Sequence, residues 1–359
     1  MKMKKILKRW ILPMLLLVSV SVMCSCEKEK DGSSLSKAST NPQPNPIEPA
    51  QAPSNEVLTL TGSGIGGVTS VVFESDSVPA SFNPNFNTDN AIVFRVPTDA
   101  LPGDQHIIFK NAAGVEFKVP FKVLGLPAIL DVSNYNFSAN SQLTLTGKNL
   151  ADVSRVAFQG GTTELEVISK TATSIVIKMP ATTTFAQAKL VITNEAGAVT
   201  TTQEFVNIDN AFRIFTDNYE NGFENGSWGP ASISNTVAKS GTSSFMATYN
   251  QGNWSADGFA NWSGLAYSPD YKFLSFWIKG GLIDHTFYIT GDQRAGGYGN
   301  SDRTMPILVP ANVWTYYKIK MSDLELWKKG GDLKQLGWWI PGPDNANETL
   351  YFDDVIFIK

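Results

Sequence analysis

The feature that most constrains the fold of this 359-residue chain is an internal repeat at a spacing of about 85 residues. Within each copy, short runs alternate apolar and polar residues and are broken by Gly, Asn and Pro, which is typical of half-buried β-strands joined by turns. The repeat therefore predicts two small β-sandwiches in tandem. The matched blocks are residues 58–62 (LTLTG) with 143–147 (LTLTG), Val68, Val71 and Phe73 with Val153, Val156 and Phe158, residues 94–97 (FRVP) with 177–180 (IKMP), and residues 107–114 (IIFKNAAG) with 190–197 (LVITNEAG).

Each copy opens with a T-G motif, residues 61–65 (TGSGI) and 146–150 (TGKNL), and closes with an N-x-x-G hairpin. This pattern resembles the IPT/TIG family of immunoglobulin-like domains. The resemblance implies two such domains, at residues 55–124 and 125–208. Because the pair contains one His, no Cys and no Trp, we interpret both domains as spacers and not as ligand binders.

The N-terminus has the pattern of a secretion signal. Basic residues precede an apolar run at residues 10–22, which is shorter than the roughly 20 residues of a membrane span. Residues 23–26 (MCSC) resemble a bacterial lipobox, which predicts a lipoprotein signal peptide at residues 1–26 and lipidation of Cys26. Cleavage at Cys24 and a plain secreted protein remain alternatives. The charged residues 27–31 resemble the tract that surface-displayed Bacteroidetes lipoproteins carry, so we expect a lipid-anchored protein at the cell surface, on the outer membrane.

Residues 27–54 are rich in Ser, Asn and Pro, a composition that predicts a flexible linker. Both cysteines precede residue 27, so the domains beyond it hold neither a disulfide nor a thiolate metal site.

The C-terminal region differs in composition, since eight of the nine tryptophans lie between Trp228 and Trp339. Residues 209–359 contain about eight strand-like runs and no long helical period, which fits a jelly-roll β-sandwich. The predicted fold class is therefore all-β: two tandem Ig-like (IPT/TIG) β-sandwiches followed by a jelly-roll β-sandwich.

This C-terminal region resembles the jelly-roll carbohydrate-binding modules at residues 219–223 (YENGF), 273–279 (FLSFWIK), 314–319 (WTYYKI) and 350–355 (LYFDDV). With the lipobox and the tandem domains, the whole chain resembles a Bacteroidetes surface glycan-binding lipoprotein of a polysaccharide-utilisation locus. The resemblance implies no catalysis, a polysaccharide ligand with β-glucan preferred, membrane attachment through the lipid, and an outer-membrane glycan transporter as partner. A net charge of -4 gives no basic field for nucleic acid.

Aromatic side chains are the candidate sugar-stacking groups, because indole and phenol rings combine a flat apolar face with a polar edge. Flanking Gly and Asn residues predict exposed rings at Trp254, Trp262 and Tyr298. Trp338 and Trp339 are neighbours on one predicted strand, so they point to opposite faces; the sequence does not say which one is exposed. On residues 273–279, the alternation places Leu274, Phe276 and Ile278 in the core and turns Ser275, Trp277 and Lys279 outward.

Polar side chains near these rings are candidate partners for sugar hydroxyls, above all Asp292 as an acceptor, Arg294 as a donor, and Asn253. An ordinary surface ion pair is the alternative interpretation of Asp292 and Arg294. Gln293, Asn261 and Asn300 are further candidates. Glu220 and Asp353 could supply oxygens to a structural calcium, although acidic residues at strand ends are more often simply solvated. No other cofactor is predicted.

Two other functions remain open. A glycoside hydrolase would need a pair of carboxylates at a defined spacing, and Asp257, Asp292, Asp302 and Asp344 are available without forming a paired motif. An adhesin that binds a host protein would use the same Ig-like spacers and would show an exposed apolar patch on the outer one, instead of a ring-lined groove in the head.

Overall fold

The computed structural model describes residues 37–299 and 302–359. The predicted signal peptide, Cys26, the first ten residues of the predicted linker and Asn300 lie outside the described residues. The chain forms two compact units, which meet in sequence at Gly125 and Leu126. No helix among the described residues has the length and apolar character needed to cross a membrane.

The first unit is a two-sheet sandwich. One sheet has the order β1-β3-β6 and the other the order β2-β8-β7-β4-β5. Alternate residues of the strands face the core, as Leu58 and Leu60 do on β3 and Ile107 and Phe109 on β7. The strands are β1 (Gln43–Glu48), β2 (Gln51–Pro53), β3 (Val57–Ser63), β4 (Val68–Phe73), β5 (Val78–Pro79), β6 (Ala91–Arg95), β7 (Gly103–Asn111) and β8 (Glu116–Leu124), with 3-10 turns at Ser75–Ser77 and Pro84–Phe86.

The prediction of a flexible linker through residue 54 was wrong for β1 and β2. Strand β1 pairs antiparallel with β3, and β2 pairs parallel with β8. Ile47 and Ala52 insert into the core and are 1% and 2% exposed. Both strands lie at sheet edges, where proline is tolerated because its missing N–H faces away from the ladder. The proline-rich composition therefore concealed two edge strands.

The second unit begins with the other copy of the repeat. Its sheets have the orders β13-β14-β11-β9, β12-β16-β17 and β10-β18-β15. Leu143 and Leu145 on β11 occupy core positions that match those of Leu58 and Leu60, which confirms the tandem sandwiches. The strands are β9 (Ala128–Val132), β10 (Asn136–Phe137), β11 (Gln142–Lys148), β12 (Arg155–Phe158), β13 (Glu166–Lys170), β14 (Ser174–Lys178), β15 (Gln187–Ala188), β16 (Leu190–Asn194), β17 (Gly197–Thr200) and β18 (Phe205–Asn207).

The rest of the second unit, from residue 209, is a larger sandwich that we call the head. A six-stranded sheet has the order β21-β22-β29-β24-β27, with β19 added against β29, and packs on a five-stranded sheet of order β20-β23-β28-β25-β26. Large aromatic side chains such as Phe259, Phe276 and Phe352 fill the space between the sheets. The strands are β19 (Phe212–Phe215), β20 (Glu224–Asn225), β21 (Ala231–Ser234), β22 (Ser244–Tyr249), β23 (Ser255–Leu265), β24 (Phe273–Lys279), β25 (His285–Gly291), β26 (Pro306–Val309), β27 (Trp314–Lys320), β28 (Leu333–Ile340) and β29 (Glu348–Ile358), with a 3-10 turn at Ile208–Asn210 and the short helix α1 (Met321–Leu324).

The outer face of the six-stranded sheet is covered by the second Ig-like domain. Leu274, Phe276 and Ile278 of β24 face the core as predicted, and Trp277 points the other way, yet it is only 4% exposed. Its Nε1 donates to Asn134 Oδ1 at 2.7 Å, and its ring stacks on Tyr135 with centroids 5.9 Å apart. The predicted outward direction of Trp277 was therefore right, but its side chain contacts the neighbouring domain and not solvent.

Two buried carboxylates lie next to each other here, and one of them bonds across the junction. Asp354 accepts hydrogen bonds from Asn134 Nδ2 at 2.9 Å and Asn136 Nδ2 at 3.3 Å. Asp353, beside it, accepts from the backbone N–H groups of Lys239 at 2.8 Å and Ser240 at 3.1 Å. A small apolar cluster of Val206, Ile356 and Ile358 completes the contact. The second Ig-like domain and the head are thus joined by a buried interface.

This junction predicts a pH-dependent stability. Burial, aided by the neighbouring Asp354 charge, raises the pKa of Asp353 to about 8. The folded state therefore keeps a proton that the unfolded chain releases at lower pH, so the free energy of unfolding falls as pH rises from about 4 to 8. We expect a loss of at least about 1 kcal/mol between pH 5 and pH 8, measured by urea unfolding. Tryptophan fluorescence reports the head selectively, because eight of the nine tryptophans lie there.

Asp353→Asn should flatten this pH dependence, whereas the exposed Asp344→Asn should leave it unchanged. A stability that is constant or rises over the same pH range would contradict the assignment.

Candidate functional site

The outer face of the five-stranded sheet carries an aromatic row. Trp339 on β28 pairs directly with Ala256 on β23 and with Tyr288 on β25, so the three side chains share one face of the sheet. The rings of Trp339 and Tyr288 stack with centroids 5.0 Å apart and planes inclined by 28°. The indole Nε1 of Trp339 donates to the carbonyl of Asp302 at 3.0 Å, which fixes the ring.

Trp254 lies on top of this row. It immediately precedes β23, its ring lies 5.8 Å from that of Trp339, and it is 56% exposed. The preceding turn contains Gly252 at φ 71, and Gln251 is tied to the carbonyl of Asp344 and the side chain of Asn347. The exposed indole is therefore presented by a loop that is cross-linked to its neighbour.

Trp228 is the second exposed indole of this face, at 57% exposure. Its backbone N–H donates to the carbonyl of Ala256 at 3.0 Å, so its segment runs along the edge of β23. Its ring meets that of Tyr298 edge-on at 5.6 Å. The indole also lies over Gly299, where φ is +63 and an added Cβ would approach Trp228 Cη2 to 2.3 Å.

We call Trp228, Trp254, Trp339 and Tyr288 the aromatic platform. The guanidinium of Arg303 lies 5.9 Å from the Tyr288 ring and the side chain of Asn253 is exposed beside Trp254, so hydrogen-bond donors border the rings. This arrangement can stack on a flat apolar ligand face and bond to polar groups along its edge.

Three predicted site aromatics differ in exposure from the expectation. Trp338 is fully buried in the core of the head and takes no part in the surface. Trp339 does point to the opposite face, but it is only 1% exposed because Trp254 and Tyr288 cover it. Tyr298 is half-buried, with its hydroxyl 3.2 Å from the carbonyls of Gly226 and Ala256, and burial raises its pKa. Trp339 and Tyr298 therefore support the exposed indoles from below.

Trp262 is exposed, as predicted, at 58%. It lies in the bulge of β23 between Ala260 and Leu265. Ala260 is six residues beyond Trp254, so the two indoles lie about 20 Å apart along the strand at about 3.3 Å per residue. The structure does not bring Trp262 to the platform.

The polar pair proposed from the sequence is not formed. The carboxylate of Asp292 accepts the backbone N–H groups of Lys334 at 3.0 Å and Gln335 at 2.9 Å. Arg294 is 4% exposed and pairs with Asp302 at 3.1 Å, so its guanidinium is enclosed. Both residues brace loops, and the expectation that they face a ligand was wrong.

The two residues suggested as calcium ligands have other partners. Glu220 accepts from Thr216 Oγ1 at 2.7 Å and pairs with Arg213 at 2.8 Å, and Asp353 lies in the junction described above. Within residues 37–299 and 302–359, no group of three or more His, Cys, Asp or Glu side chains is arranged to hold a metal ion.

Two of the carboxylates considered for hydrolysis are also engaged. Asp257 is fully buried and accepts from Gly229 N at 2.7 Å and Ser255 Oγ at 2.9 Å. Asp302 holds Arg294 and also accepts from Thr304 N at 3.0 Å.

Sequence reasoning missed three residues of this face: Trp228, Tyr288 and Arg303. For Trp228 a signal was present, because it lies between Gly226 and Gly229 in the same small-residue context that singled out the loop aromatics. For Tyr288, its place between the core residues Phe287 and Ile289 on β25 turns it outward.

Comparison with known proteins gives one family assignment and several structural likenesses. Residues 127–206 match the IPT/TIG domain family, so the chain contains an IPT/TIG domain. No curated protein matches the chain.

Among solved structures, the chain is similar to SGBP-B from a complex xyloglucan utilization locus in Bacteroides uniformis, with 20% identity, a TM-score of 0.42 and coverage of 89% of this chain and 99% of that one. It is also similar to the surface glycan-binding protein PbSGBP-B from Prevotella bryantii, with 15% identity, a TM-score of 0.43 and coverage of 90% and 99%. The SGBP-B of a Bacteroides ovatus mixed-linkage glucan utilization locus matches with 13% identity, a TM-score of 0.31 and coverage of 84% and 73%.

Proposed function

We propose that this protein is a non-catalytic glycan-binding protein whose aromatic platform stacks on the sugar rings of a polysaccharide. The observation that carries the proposal is the pair Trp228 and Trp254, both more than half exposed on one face of the head and both held by rings beneath them. Large exposed apolar groups gathered in one patch generally mark an interaction surface.

The chemistry of the platform favours a saccharide over a purely apolar ligand. Sugar rings have an apolar face that suits indole and a rim of hydroxyls that needs donors and acceptors, which Arg303 and Asn253 supply at the platform edge. Two stacked rings at about 1 kcal/mol each, with a few hydrogen bonds, give micromolar to millimolar affinity. An extended β-linked chain such as a β-glucan presents successive ring faces to such a surface, so it is the preferred ligand class.

We further propose that the protein is held by lipid at Cys26 on the outer membrane, at the cell surface, and passes glycan to an outer-membrane transporter. The support is the basic and apolar N-terminus with its lipobox-like residues 23–26. In this arrangement the two Ig-like domains are spacers that carry the head. Weak single-site affinity would be compensated by the avidity of many copies on one surface.

The state of the carboxylates supports binding without catalysis. A hydrolase needs two carboxylates facing the scissile bond, whereas Asp257 is buried against Ser255 and Asp302 is occupied by Arg294. For the adhesin alternative, the large apolar side chains exposed in the two Ig-like domains are Val57, Phe86, Leu101, Leu126, Leu130 and Ile168. None of them is a tryptophan or tyrosine, whereas the head exposes Trp228 and Trp254 on one face.

The proposal is tested by affinity electrophoresis of the full chain through gels containing mixed-linkage β-glucan, xyloglucan, galactomannan or xylan, with reducing-sugar release assayed in parallel. We expect retardation by at least one β-glucan without release of reducing ends. Release would establish an enzyme, and free mobility in every gel would remove the proposed function.

A substitution beneath the platform offers a second test. Gly299→Ala places a methyl carbon 2.3 Å from Trp228 Cη2, so the indole must move. The new residue must also adopt a φ near +63, which L-residues disfavour. We expect several-fold weaker retardation by the β-glucan that the wild type binds. Gly114→Ala is the matched control, since its φ is +79 but no atom lies within 4 Å of its added Cβ. Equal affinities of the two variants would show that the position of Trp228 does not matter.

A further inference from the structure

A second aromatic cleft lies at the other end of the head. Its cavity measures about 920 Å³, within the range of small-molecule sites. Trp254 precedes β23 and Tyr267 follows it. The first residue of β23 pairs with Ile340 and the last with Leu333, which are seven residues or about 23 Å apart on β28. We call this cavity the distal cleft; it is separate from the platform.

The aromatic wall of the distal cleft is built on Trp327. This indole stacks on Tyr271 with centroids 5.9 Å apart at 21°, and packs against Phe357 of the core at 5.8 Å. Its Nε1 donates to the carbonyl of Leu265 at 2.9 Å, so the ring is fixed from behind. Tyr267 adds its ring at 5.8 Å and is 63% exposed. Tyr271 and Trp327 pack in or against the core of the head, whereas Tyr267 lies mostly outside it.

The rim of the distal cleft is polar and of mixed charge. Lys272, Lys320 and Lys328 contribute ammonium groups, and Glu325 and Asp332 contribute carboxylates. Lys328 pairs with Glu325 at 2.7 Å. At Gly330 an added Cβ would meet nothing within 4 Å, so the backbone there is open to a ligand. Donors and acceptors therefore surround an aromatic wall, and the opposing charges give no strong preference for an ionic ligand.

We propose that the distal cleft is a second saccharide site, which takes neutral sugar units of a glycan independently of the platform. A lipid or an apolar protein segment would remove water from the charged rim without offering it hydrogen bonds, whereas sugar hydroxyls both donate and accept. The class of ligand rests on the proposed function; the existence of a separate site rests on the cleft itself. Two sites on one rigid head would engage one long chain, or two chains, with increased avidity.

The test uses the full chain labelled with ¹⁵N at the tryptophan indoles and titrated with cellohexaose, a mixed-linkage gluco-oligosaccharide, mannohexaose and xylohexaose. Trp327→Phe assigns the Trp327 resonance and Trp254→Phe assigns that of Trp254. We expect the Trp327 signal to shift saturably with at least one oligosaccharide, in the wild type and equally in the Trp228→Ala, Trp254→Ala double variant. Tyr267→Ala should weaken the binding reported by Trp327 about tenfold and leave that reported by Trp254 unchanged.

The outcomes separate this inference from the proposed function. If Trp254 responds and Trp327 does not, the distal cleft is not a saccharide site and the platform stands. A Trp327 response that disappears in the platform double variant would show that the cleft has no independent site. If only the Trp327 signal shifts, the distal cleft is a saccharide site and the platform is not. If neither signal shifts, both the distal cleft and the platform are ruled out as saccharide sites. Tyr267→Phe, which keeps the ring, should bind like the wild type.

Discussion

Trp228→Ala is expected to weaken polysaccharide binding about tenfold, and Trp228→Ala combined with Trp254→Ala to reduce retardation in an affinity gel to the level that the distal cleft alone supports. Each indole contributes about 1 to 1.5 kcal/mol of stacking, and 1.4 kcal/mol corresponds to a factor of ten. The single variants should differ, because removal of Trp254 uncovers the ring of Trp339 whereas removal of Trp228 uncovers Gly299 and the edge of Tyr298. We therefore expect Trp228→Ala to lose more affinity than Trp254→Ala.

Trp262→Ala is the matched control for this experiment. Trp262 is as exposed as the two platform indoles, at 58%, and lies in the bulge of β23, about 20 Å along the strand from Trp254. Its removal should leave retardation unchanged, and all these surface variants should keep their thermal midpoints nearly constant. Wild-type mobility of the double variant, or equal losses in Trp262→Ala, would place the binding surface elsewhere.

The second large effect is expected at the junction between the head and the second Ig-like domain. Trp277→Ala removes a buried indole that stacks on Tyr135, donates to Asn134 Oδ1 and lies under the Lys239 ammonium at 4.1 Å. Truncation of a buried aromatic side chain costs about 3 to 5 kcal/mol. We expect a loss of this size in urea unfolding followed by the fluorescence of the remaining head tryptophans.

Trp277→Phe separates packing from hydrogen bonding at this position. The phenyl ring keeps much of the stacking but cannot donate to Asn134, whose Oδ1 retains the bond from Asn136 N at 3.0 Å. We expect a loss of about 1 to 2 kcal/mol for Trp277→Phe. Unchanged stability in Trp277→Ala would mean that the junction does not contribute to the fold of the head.

The architecture follows from local patterns that the sequence displays directly. The recurrence of LTLTG and the period-two alternation of Leu274, Phe276 and Ile278 are sufficient for an all-β prediction, because each strand places its apolar residues on one face. The edge strands β1 and β2 escaped this reasoning because prolines mask alternation in short strands. These two strands belong to the sandwich because Ile47 and Ala52 pack into a core that the other strands form.

Site residues were harder to identify because exposure is decided by contacts between segments distant in sequence. The pattern shows that Trp338 and Trp339 face opposite ways, but only the positions of Trp254 and Tyr288 determine that Trp339 is covered. Likewise, Arg294 pairs with Asp302 and not with Asp292, although Asp292 is much nearer in the sequence. Such pairings depend on tertiary structure and leave no periodic signal.

The buried junction around Trp277 and Asp354 has a consequence for how a captured chain is handled. Because the two domains share a buried interface, a polysaccharide bound across Trp228 and Trp254 would keep one orientation relative to the second Ig-like domain. The direction in which a bound chain leaves the head would then depend on this interface.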